Sequence, residues 1–449
     1  MKPLVLLTVP GLRGRDVEAM PSLRRLARAE LTPSFPAVTC CVQTNITTGR
    51  QPNRHGVVAN GLLLREETPI RRDPDRPEWP RPERLPYLEM WTAPNQCVEQ
   101  PQIWDALREK SVTSAVWFPL HSKFCRADYV CTPAPIHNPD GSESLWCYTK
   151  PAELYGTLRE QFGDFPLHHF WGPRADLAGS RWIADSALWA MRAFKPGFFD
   201  IYLPHLDYAA QKTGPDSPEA AKAVAELDRL LTDFLPKAAE AYGTEPDWLV
   251  VGEYAITPVT HVAYPNRVLR DMGLLHLEQR DGREYVDPLK SRAFAVCDHQ
   301  FAHLYVHDRD AALMARIADR FRREEGIAEV LVGPAELARY AIDHPRSGEI
   351  VLISAPDSWQ AYYYWEESTK APEYARTVDI HLKPGYDPVE MFWDQAAGGI
   401  ALDATLIKGS HGAPPRSAAQ KTVLLASDAA TFDSQKDFAD IDLFGIINR

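Results

Sequence analysis

Residues 1–11 read MKPLVLLTVPG, and positions 4–9 of this stretch are apolar apart from Thr8. An apolar run of this length is typical of a strand that is covered on both faces, as strands of parallel sheets are. The run is shorter than the hydrophobic region of a signal peptide. The stretch therefore predicts a buried β-strand rather than a targeting segment.

Three later stretches have the same apolar character, and helix-like sequence separates each from the next. They read 113-TSAVWFPL-120, 197-GFFDIYLP-204 and 246-PDWLVVGE-253. One intervening helix is predicted to begin at Pro218, with Ser217 as its N-cap. Strands that alternate with helices predict an α/β fold with a mostly parallel sheet and helices on both faces.

Residues 265–400 have a different pattern of predicted elements, with short candidate strands around one helix-like segment, 310-DAALMARIADRFRREEG-326. This pattern predicts a small α+β insertion at 265–400 in a core formed by residues 1–264 and 401–449. The aromatic segment 361-AYYYWEE-367 either packs the insertion against the core or lines the mouth of a pocket.

Composition limits the classes of function. The chain has 449 residues, 45% of them hydrophobic and 24% charged, with a formal net charge of -12. An acidic chain of this kind lacks the basic surface of a general nucleic-acid-binding protein. No apolar stretch is long enough to cross a bilayer, so no membrane partner is expected. The seven cysteines show no CxxC metal spacing, which favours reduced thiols and a cytoplasmic location.

The stretch 34-SFPAVTCCVQTNITTGRQPNRHGVVANG-61 carries the first candidates for chemistry. Thr39 follows a short apolar turn and precedes a predicted helix, so one interpretation is that it caps the helix. The other is that it is a nucleophile, because the positive end of a helix dipole stabilises an alkoxide. Asn60 stands before Gly61, a pair that is typical of a turn.

Three further stretches lie where sites of such folds collect, at strand ends or late in the chain: 202-YLPHLDYAAQ-211, 250-VVGEYAITPV-259 and 408-KGSHG-412. Together with residues 34–61 they resemble the alkaline phosphatase superfamily, in its nucleotide pyrophosphatase/phosphodiesterase and phosphonoacetate hydrolase branch. The resemblance implies an alkaline phosphatase-like core, Thr39 as the nucleophile and Asn60 as a ligand of a phosphate oxygen.

The resemblance also implies two divalent cations, usually zinc, but several ligand positions differ from the family pattern. Pro10 stands in place of an aspartate and has no ligand atom. The expected Asp-His pair is Glu253-Tyr254, and a neutral phenol is a poor ligand at neutral pH. We therefore assign Tyr254, like Asn60, to substrate binding. A further histidine is replaced by Gln211, a weaker neutral donor.

The remaining ligands are divided unequally between the two implied metal sites. The first keeps Asp207 and His411, with Gln211 as a third ligand, whereas the second keeps only Thr39 and Glu253. The sequence therefore predicts at most one inherited cation, zinc by the resemblance, or none. A single cation would still act as a Lewis acid, without the two-ion clamp on attacking and leaving groups.

Other polar side chains could replace the missing ligands or could be ordinary hydrogen-bonded residues, and the sequence leaves both interpretations open. These residues are His205, Asp298, His299, His303 and His381.

Two functions follow from this pattern. The first is a hydrolase that cleaves phosphodiester or pyrophosphate-type bonds of a small phosphate-containing substrate, with a threonine nucleophile and a divalent cation. The alternative is a non-catalytic relative that binds a phosphate-bearing metabolite or a partner protein. The sequence identifies neither the substrate nor the oligomeric state, since fold analogy does not transfer specificity.

Overall fold

The computed structural model describes residues 2–73, 76–137, 143–432 and 437–449. Within them, one large sheet of nine strands forms the centre of the molecule. In spatial order its strands are Cys147–Lys150, Tyr129–Pro133, Ser114–Trp117, Phe198–Tyr202, Leu4–Thr8, Asp247–Val251, Thr422–Ala426, Ala27–Thr32 and Phe438–Ala439.

Most neighbouring strands of this sheet run parallel. Leu4–Thr8 pairs in parallel with Phe198–Tyr202 on one side and with Asp247–Val251 on the other. Thr422–Ala426 is antiparallel to both of its neighbours, Asp247–Val251 and Ala27–Thr32. The four strands predicted from continuous apolar runs are all present, and the predicted α/β class is confirmed.

Helices cover both faces of the sheet because alternate side chains of its strands point to opposite sides. On the first strand, Val5 and Leu7 join a core that includes the helices Leu177–Phe194 and Pro218–Tyr242. Leu6 joins the opposite core, to which the helix Thr39–Thr48 contributes Val42 and Ile46. The long helix begins as predicted, because the Ser217 hydroxyl accepts a hydrogen bond from the Ala220 amide at 3.0 Å.

A smaller antiparallel sheet lies within the predicted insertion. Its strands, in spatial order, are Ala293–Asp298, Phe301–Val306, Ile350–Ser354 and Ile327–Val332, and the helix Ala311–Phe321 accompanies them. The aromatic run at 362–365 is fully buried in the hydrophobic cluster of this region, so it packs there rather than lining a pocket mouth. The boundaries 265 and 400 stay a prediction.

Short elements complete the described chain. The remaining α-helices are Gly14–Val17, Pro21–Arg24, Pro52–His55, Ile103–Glu109, Leu154–Phe162, Leu167–Phe170, His205–Thr213, Pro265–Asp271, Gly333–Leu337 and Leu443–Ile447. The remaining strands form pairs: Gly61–Leu64 with Tyr87–Met90, Arg71–Asp73 with Arg76–Trp79, Ile136–His137 with Glu143–Ser144, Thr257–Pro258 with Gly409–Ser410, His261–Ala263 with Ser358–Gln360, His276–Arg280 with Arg283–Asp287, and Trp393–Asp394 with Gly399–Ile400. None of the helices described has the length and apolar character needed to cross a membrane.

Candidate active site

Thr39 is the first residue of the helix Thr39–Thr48, and Val38, in an extended conformation, is its N-cap. Thr39 therefore does not cap the helix. Its side chain is buried, and its hydroxyl oxygen lies 3.0 Å from the hydroxyl oxygen of Tyr254. The Thr39 hydroxyl is thus held at the positive end of a ten-residue helix.

Tyr254 connects Thr39 to a carboxylate. It follows the central strand Asp247–Val251 and is 2% exposed. Its hydroxyl donates a hydrogen bond to Oδ1 of Asp207 at 3.3 Å. The three side chains therefore form a continuous chain of contacts from the Thr39 oxygen through the Tyr254 oxygen to Asp207.

Asp207 and Gln211 lie one turn apart on the helix His205–Thr213. The amide N–H of Gln211 donates a hydrogen bond to Oδ2 of Asp207 at 2.7 Å. The amide oxygen of Gln211 accepts a hydrogen bond from the Tyr386 hydroxyl at 2.8 Å. Burial raises the pKa of Asp207 to about 7, although its hydrogen bonds from Gln211 and Tyr254 act in the opposite direction. Both oxygens of Asp207 thus accept hydrogen bonds from protein donors.

His411 packs beside this chain. Its ring stacks on the ring of Tyr254, with centroids 3.6 Å apart and planes 7° apart. Its Nδ1 donates to the carbonyl oxygen of Ala37 at 2.8 Å. Its Nε2 is buried without a hydrogen-bond partner among the described residues and lies 4.0 Å from Oδ1 of Asp207. Burial lowers the pKa of His411 well below its usual value, so the ring is neutral.

Glu253 holds the Thr39 helix against the sheet. Its Oε1 accepts a hydrogen bond at 2.8 Å from the amide nitrogen of Gln43, which is one turn after Thr39. The carboxyl group is fully buried, and burial raises its pKa well above the usual value. Glu253 thus braces the helix through Oε1, whereas its Oε2 is buried without a hydrogen-bond partner among the described residues.

Asn60 orients the beginning of the same helix. Its Oδ1 accepts a hydrogen bond from the Cys40 amide at 3.0 Å, and its Nδ2 donates to Oδ1 of Asp298 at 3.0 Å. Asp298 in turn contacts Nδ1 of His299 at 2.6 Å. His299 stacks on Tyr386 at 3.7 Å. The predicted role of Asn60 as a phosphate ligand stays a prediction, and its observed contacts are to protein groups.

The other histidines that the sequence left open have different surroundings. His205 contacts Glu226 at 3.1 Å, and His303 contacts the carbonyl oxygen of Val58 at 3.1 Å. His381 and His299 line the same cavity as Thr39. Tyr386 was missed by the sequence interpretation, and its only local signal is the turn 384-PGYDP-388.

Thr39, Asp207 and Tyr254 open onto a cavity of about 1110 Å³. Its wall is largely aromatic and includes Trp91, Trp146, Tyr148, Phe170, Trp171 and Trp393. A cavity of this size can hold a small organic molecule.

Two side chains of the cavity wall have unused hydrogen-bonding groups. Both ring nitrogens of His121 and the indole nitrogen of Trp91 are buried without a partner among the described residues. Both residues also have left-handed backbone conformations, with φ of 54° at His121 and 63° at Trp91. Strained backbone and unpaired polar groups are typical of positions that contact a ligand.

The ligand set implied by the family resemblance does not fit a metal centre here. Gln211 presents its amide nitrogen to Asp207, and Tyr254 donates its proton to the same carboxylate. Across the described ranges, no group of three or more histidine, cysteine, aspartate or glutamate side chains is arranged to hold a metal ion. We therefore derive no reaction step through a cation.

Comparison with known proteins gives two kinds of match. The family model of type I phosphodiesterase / nucleotide pyrophosphatase matches residues 4–387. Phosphonoacetate hydrolase from Sinorhizobium meliloti 1021, in complex with phosphonoformate, has a similar structure with a TM-score of 0.59 and 17% identity, covering 100% of this chain and 95% of that chain. Murine ectonucleotide pyrophosphatase / phosphodiesterase 5 has a TM-score of 0.59 and 14% identity, covering 100% and 94% of the two chains.

No curated protein sequence matches the chain. At such low identity the two solved structures establish the fold alone, which agrees with the central sheet described above. The family model spans most of the sequence. The chain therefore belongs to the type I phosphodiesterase / nucleotide pyrophosphatase family and is a hydrolase of that type.

Proposed function

We propose that the protein hydrolyses a phosphodiester or pyrophosphate-type bond of a small substrate, with Thr39 as the nucleophile. The observation that carries this proposal is the chain of contacts from Thr39 through Tyr254 to Asp207, which opens onto the aromatic cavity. A scaffold that only binds a phosphate-bearing molecule does not need a hydroxyl coupled to a buried carboxylate at the floor of its cavity.

The contacts provide a path for the proton of the nucleophile. As the Thr39 oxygen attacks phosphorus, its proton passes to the Tyr254 oxygen while the Tyr254 proton passes to Asp207. The bond between phosphorus and the leaving oxygen breaks, and that oxygen takes a proton from water, which leaves hydroxide. The hydroxide then attacks the phosphothreonine, the bond between phosphorus and the Thr39 oxygen breaks, and the proton returns from Asp207 to that oxygen through Tyr254.

The helix that begins at Thr39 supplies positive potential for the phosphoryl oxygens. Asn60 fixes its first turn through the Cys40 amide, and Glu253 fixes the next turn through Gln43. A dipole that is already oriented stabilises developing charge without reorganisation during the reaction.

The cavity wall favours a diester with an apolar or aromatic substituent. The wall includes Trp91, Trp171 and Trp393, and it also carries the cations Lys123 and Arg174. A phosphodiester keeps one substituent on phosphorus after its leaving group departs, and this substituent can pack against the aromatic side chains.

We expect Tyr254→Phe to lower kcat for a phosphodiester about 100-fold, because it removes the hydroxyl that receives the Thr39 proton. The phenyl ring keeps the stacking contact with His411. Steady-state kinetics of this variant and of a control variant, Tyr242→Phe, measure the effect. Tyr242→Phe is the matched control, since it also removes a buried hydroxyl, which lies at the end of the helix Pro218–Tyr242 and has no hydrogen-bond partner in the described part of the chain. Equal kcat values for the two variants would exclude the proposed proton path.

We expect an aromatic substituent on the substrate to raise kcat/KM. Phenyl p-nitrophenyl phosphate and methyl p-nitrophenyl phosphate release the same p-nitrophenolate, so they differ in the group that is retained. Burial of the phenyl ring against the cavity wall should favour the phenyl ester by about 10-fold or more. Release of p-nitrophenolate is followed by absorbance. A methyl ester that reacts as well as the phenyl ester would contradict the proposal that the cavity wall binds the retained substituent.

A further inference from the structure

We infer that the reaction centre of this hydrolase binds no divalent cation, and that the Tyr254 hydroxyl instead connects Thr39 with Asp207, two residues that the family resemblance assigns to different cations. The inference rests on the proposed function, because it concerns the same reaction centre. It departs from the metal-dependent chemistry that the family resemblance implies. Its support is the chemistry of the side chains that surround Asp207.

The first support is the position of the phenol. The Tyr254 oxygen is 3.0 Å from the Thr39 oxygen and 3.3 Å from Oδ1 of Asp207. The Tyr254 phenol therefore lies between the Thr39 hydroxyl and the Asp207 carboxylate, and it donates a hydrogen bond to the carboxylate.

The second support is the orientation of Gln211. Its amide nitrogen is 2.7 Å from Oδ2 of Asp207, and its amide oxygen is occupied by the Tyr386 hydroxyl at 2.8 Å. A cation bound to Asp207 would face the N–H group of Gln211, which repels positive charge. A flip of the amide would turn its oxygen toward Oδ2 of Asp207 and would lose this buried hydrogen bond, whereas the Tyr386 hydroxyl can donate or accept in either orientation.

The third support is the small number of donors that remain. His411 Nε2 has no hydrogen-bond partner in the described part of the chain, and it is the one unchanged imidazole of the implied ligand set. Glu253 accepts from Gln43 through Oε1, its Oε2 has no hydrogen-bond partner among the described residues, and Pro10 carries no ligand atom. Asp207 and His411 make two ligands for the first implied cation, and Thr39 and Glu253 make two for the second, whereas catalytic zinc sites have three from the protein.

Metal content of the purified protein tests the inference directly and does not depend on activity. Elemental analysis after dialysis against metal-free buffer should find well below one equivalent of zinc, manganese or iron per chain. Hydrolysis of phenyl p-nitrophenyl phosphate should continue at an unchanged rate in EDTA or 1,10-phenanthroline. One equivalent of metal that is lost on His411→Ala, or activity that appears only with added zinc or manganese, would overturn the inference.

A gain-of-ligand variant tests the roles of Tyr254 and Gln211. Gln211→His combined with Tyr254→His places two imidazoles beside Asp207 and His411, so this variant should bind zinc in isothermal titration when the natural protein does not. Gln211→Leu with Tyr254→Phe changes the same positions without adding ligands and should bind none. Equal zinc binding by the natural protein and the histidine variant would contradict the inference.

The two proposals fail in different ways. A metal-free protein that hydrolyses no diester, with or without added cations, refutes the proposed function and still supports a centre without metal. A metal-loaded protein that hydrolyses diesters supports the proposed function and refutes the metal-free centre. Metal content and diester hydrolysis are both measured on the natural protein, so the result does not depend on whether the variants fold.

Discussion

Thr39→Ala should lower kcat/KM for a phosphodiester by about 1000-fold or more, because it removes the atom that attacks phosphorus. The change deletes one hydroxyl and one methyl group at a side chain that is 4% exposed. Acid quenching of the natural enzyme during turnover, followed by mass spectrometry, should also show a phosphate adduct on the peptide that contains Thr39. The adduct should be missing from the alanine variant.

Thr44→Ala is the matched control for this experiment. Thr44 lies on the same helix and is also 4% exposed, but its hydroxyl donates to the Cys40 carbonyl at 2.7 Å. Its loss should cost about 1 kcal/mol of stability at most and leave kcat/KM within a few-fold of the natural value. A Thr39→Ala variant as active as Thr44→Ala would remove Thr39 as the nucleophile.

Lys383→Met should lower the free energy of unfolding by about 3–5 kcal/mol, because it leaves two buried carboxyl groups without their cation. The Lys383 nitrogen is fully buried and lies 2.8 Å from Asp387 Oδ2 and 2.8 Å from Glu390 Oε1. These carboxyl groups raise the pKa of Lys383 despite its burial. Urea denaturation followed by tryptophan fluorescence measures the loss.

Lys222→Met is the control for the lysine experiment. Lys222 is exposed and lies 3.6 Å from Glu226 on the surface of its helix, so its loss should change stability by about 0.5 kcal/mol or less. Lys383→Met should also weaken substrate binding in the cavity. Glu390 accepts the indole N–H of Trp171, which lines the cavity wall, so KM should rise. Equal stability losses for the two lysine variants would contradict the assignment of a buried ion cluster.

The strands were predictable because a strand buried on both faces is apolar at most of its positions. The runs around Leu6, Val116, Ile201 and Val250 each became a central strand. The segment Thr422–Ala426 carries the same signal and is equally buried. Strand order was not predictable, because it is decided by which surfaces meet after the chain has folded back on itself.

The sequence pointed to four residues that meet in the candidate site, but not to Tyr386 and not to the direction of the hydrogen bonds. The motifs identified Thr39, Tyr254, Asp207 and Gln211, and the structure brings these four together. The motifs could not show that Gln211 turns its nitrogen to Asp207. That orientation follows from the hydrogen bond to Oδ2 of Asp207, and the second partner of the amide, Tyr386, comes from a distant part of the sequence with no periodic pattern to mark it.

The place of Thr422–Ala426 between Asp247–Val251 and Ala27–Thr32 has a consequence for how the protein is made. On the ribosome, both neighbours of this strand emerge long before it does. Until residue 426 leaves the exit tunnel, the nascent sheet has a gap between Asp247–Val251 and Ala27–Thr32. The backbone groups that these two strands turn toward the gap are unpaired. Such edges recruit other strands, so a translational pause before this point should leave a nascent chain that aggregates or needs chaperones.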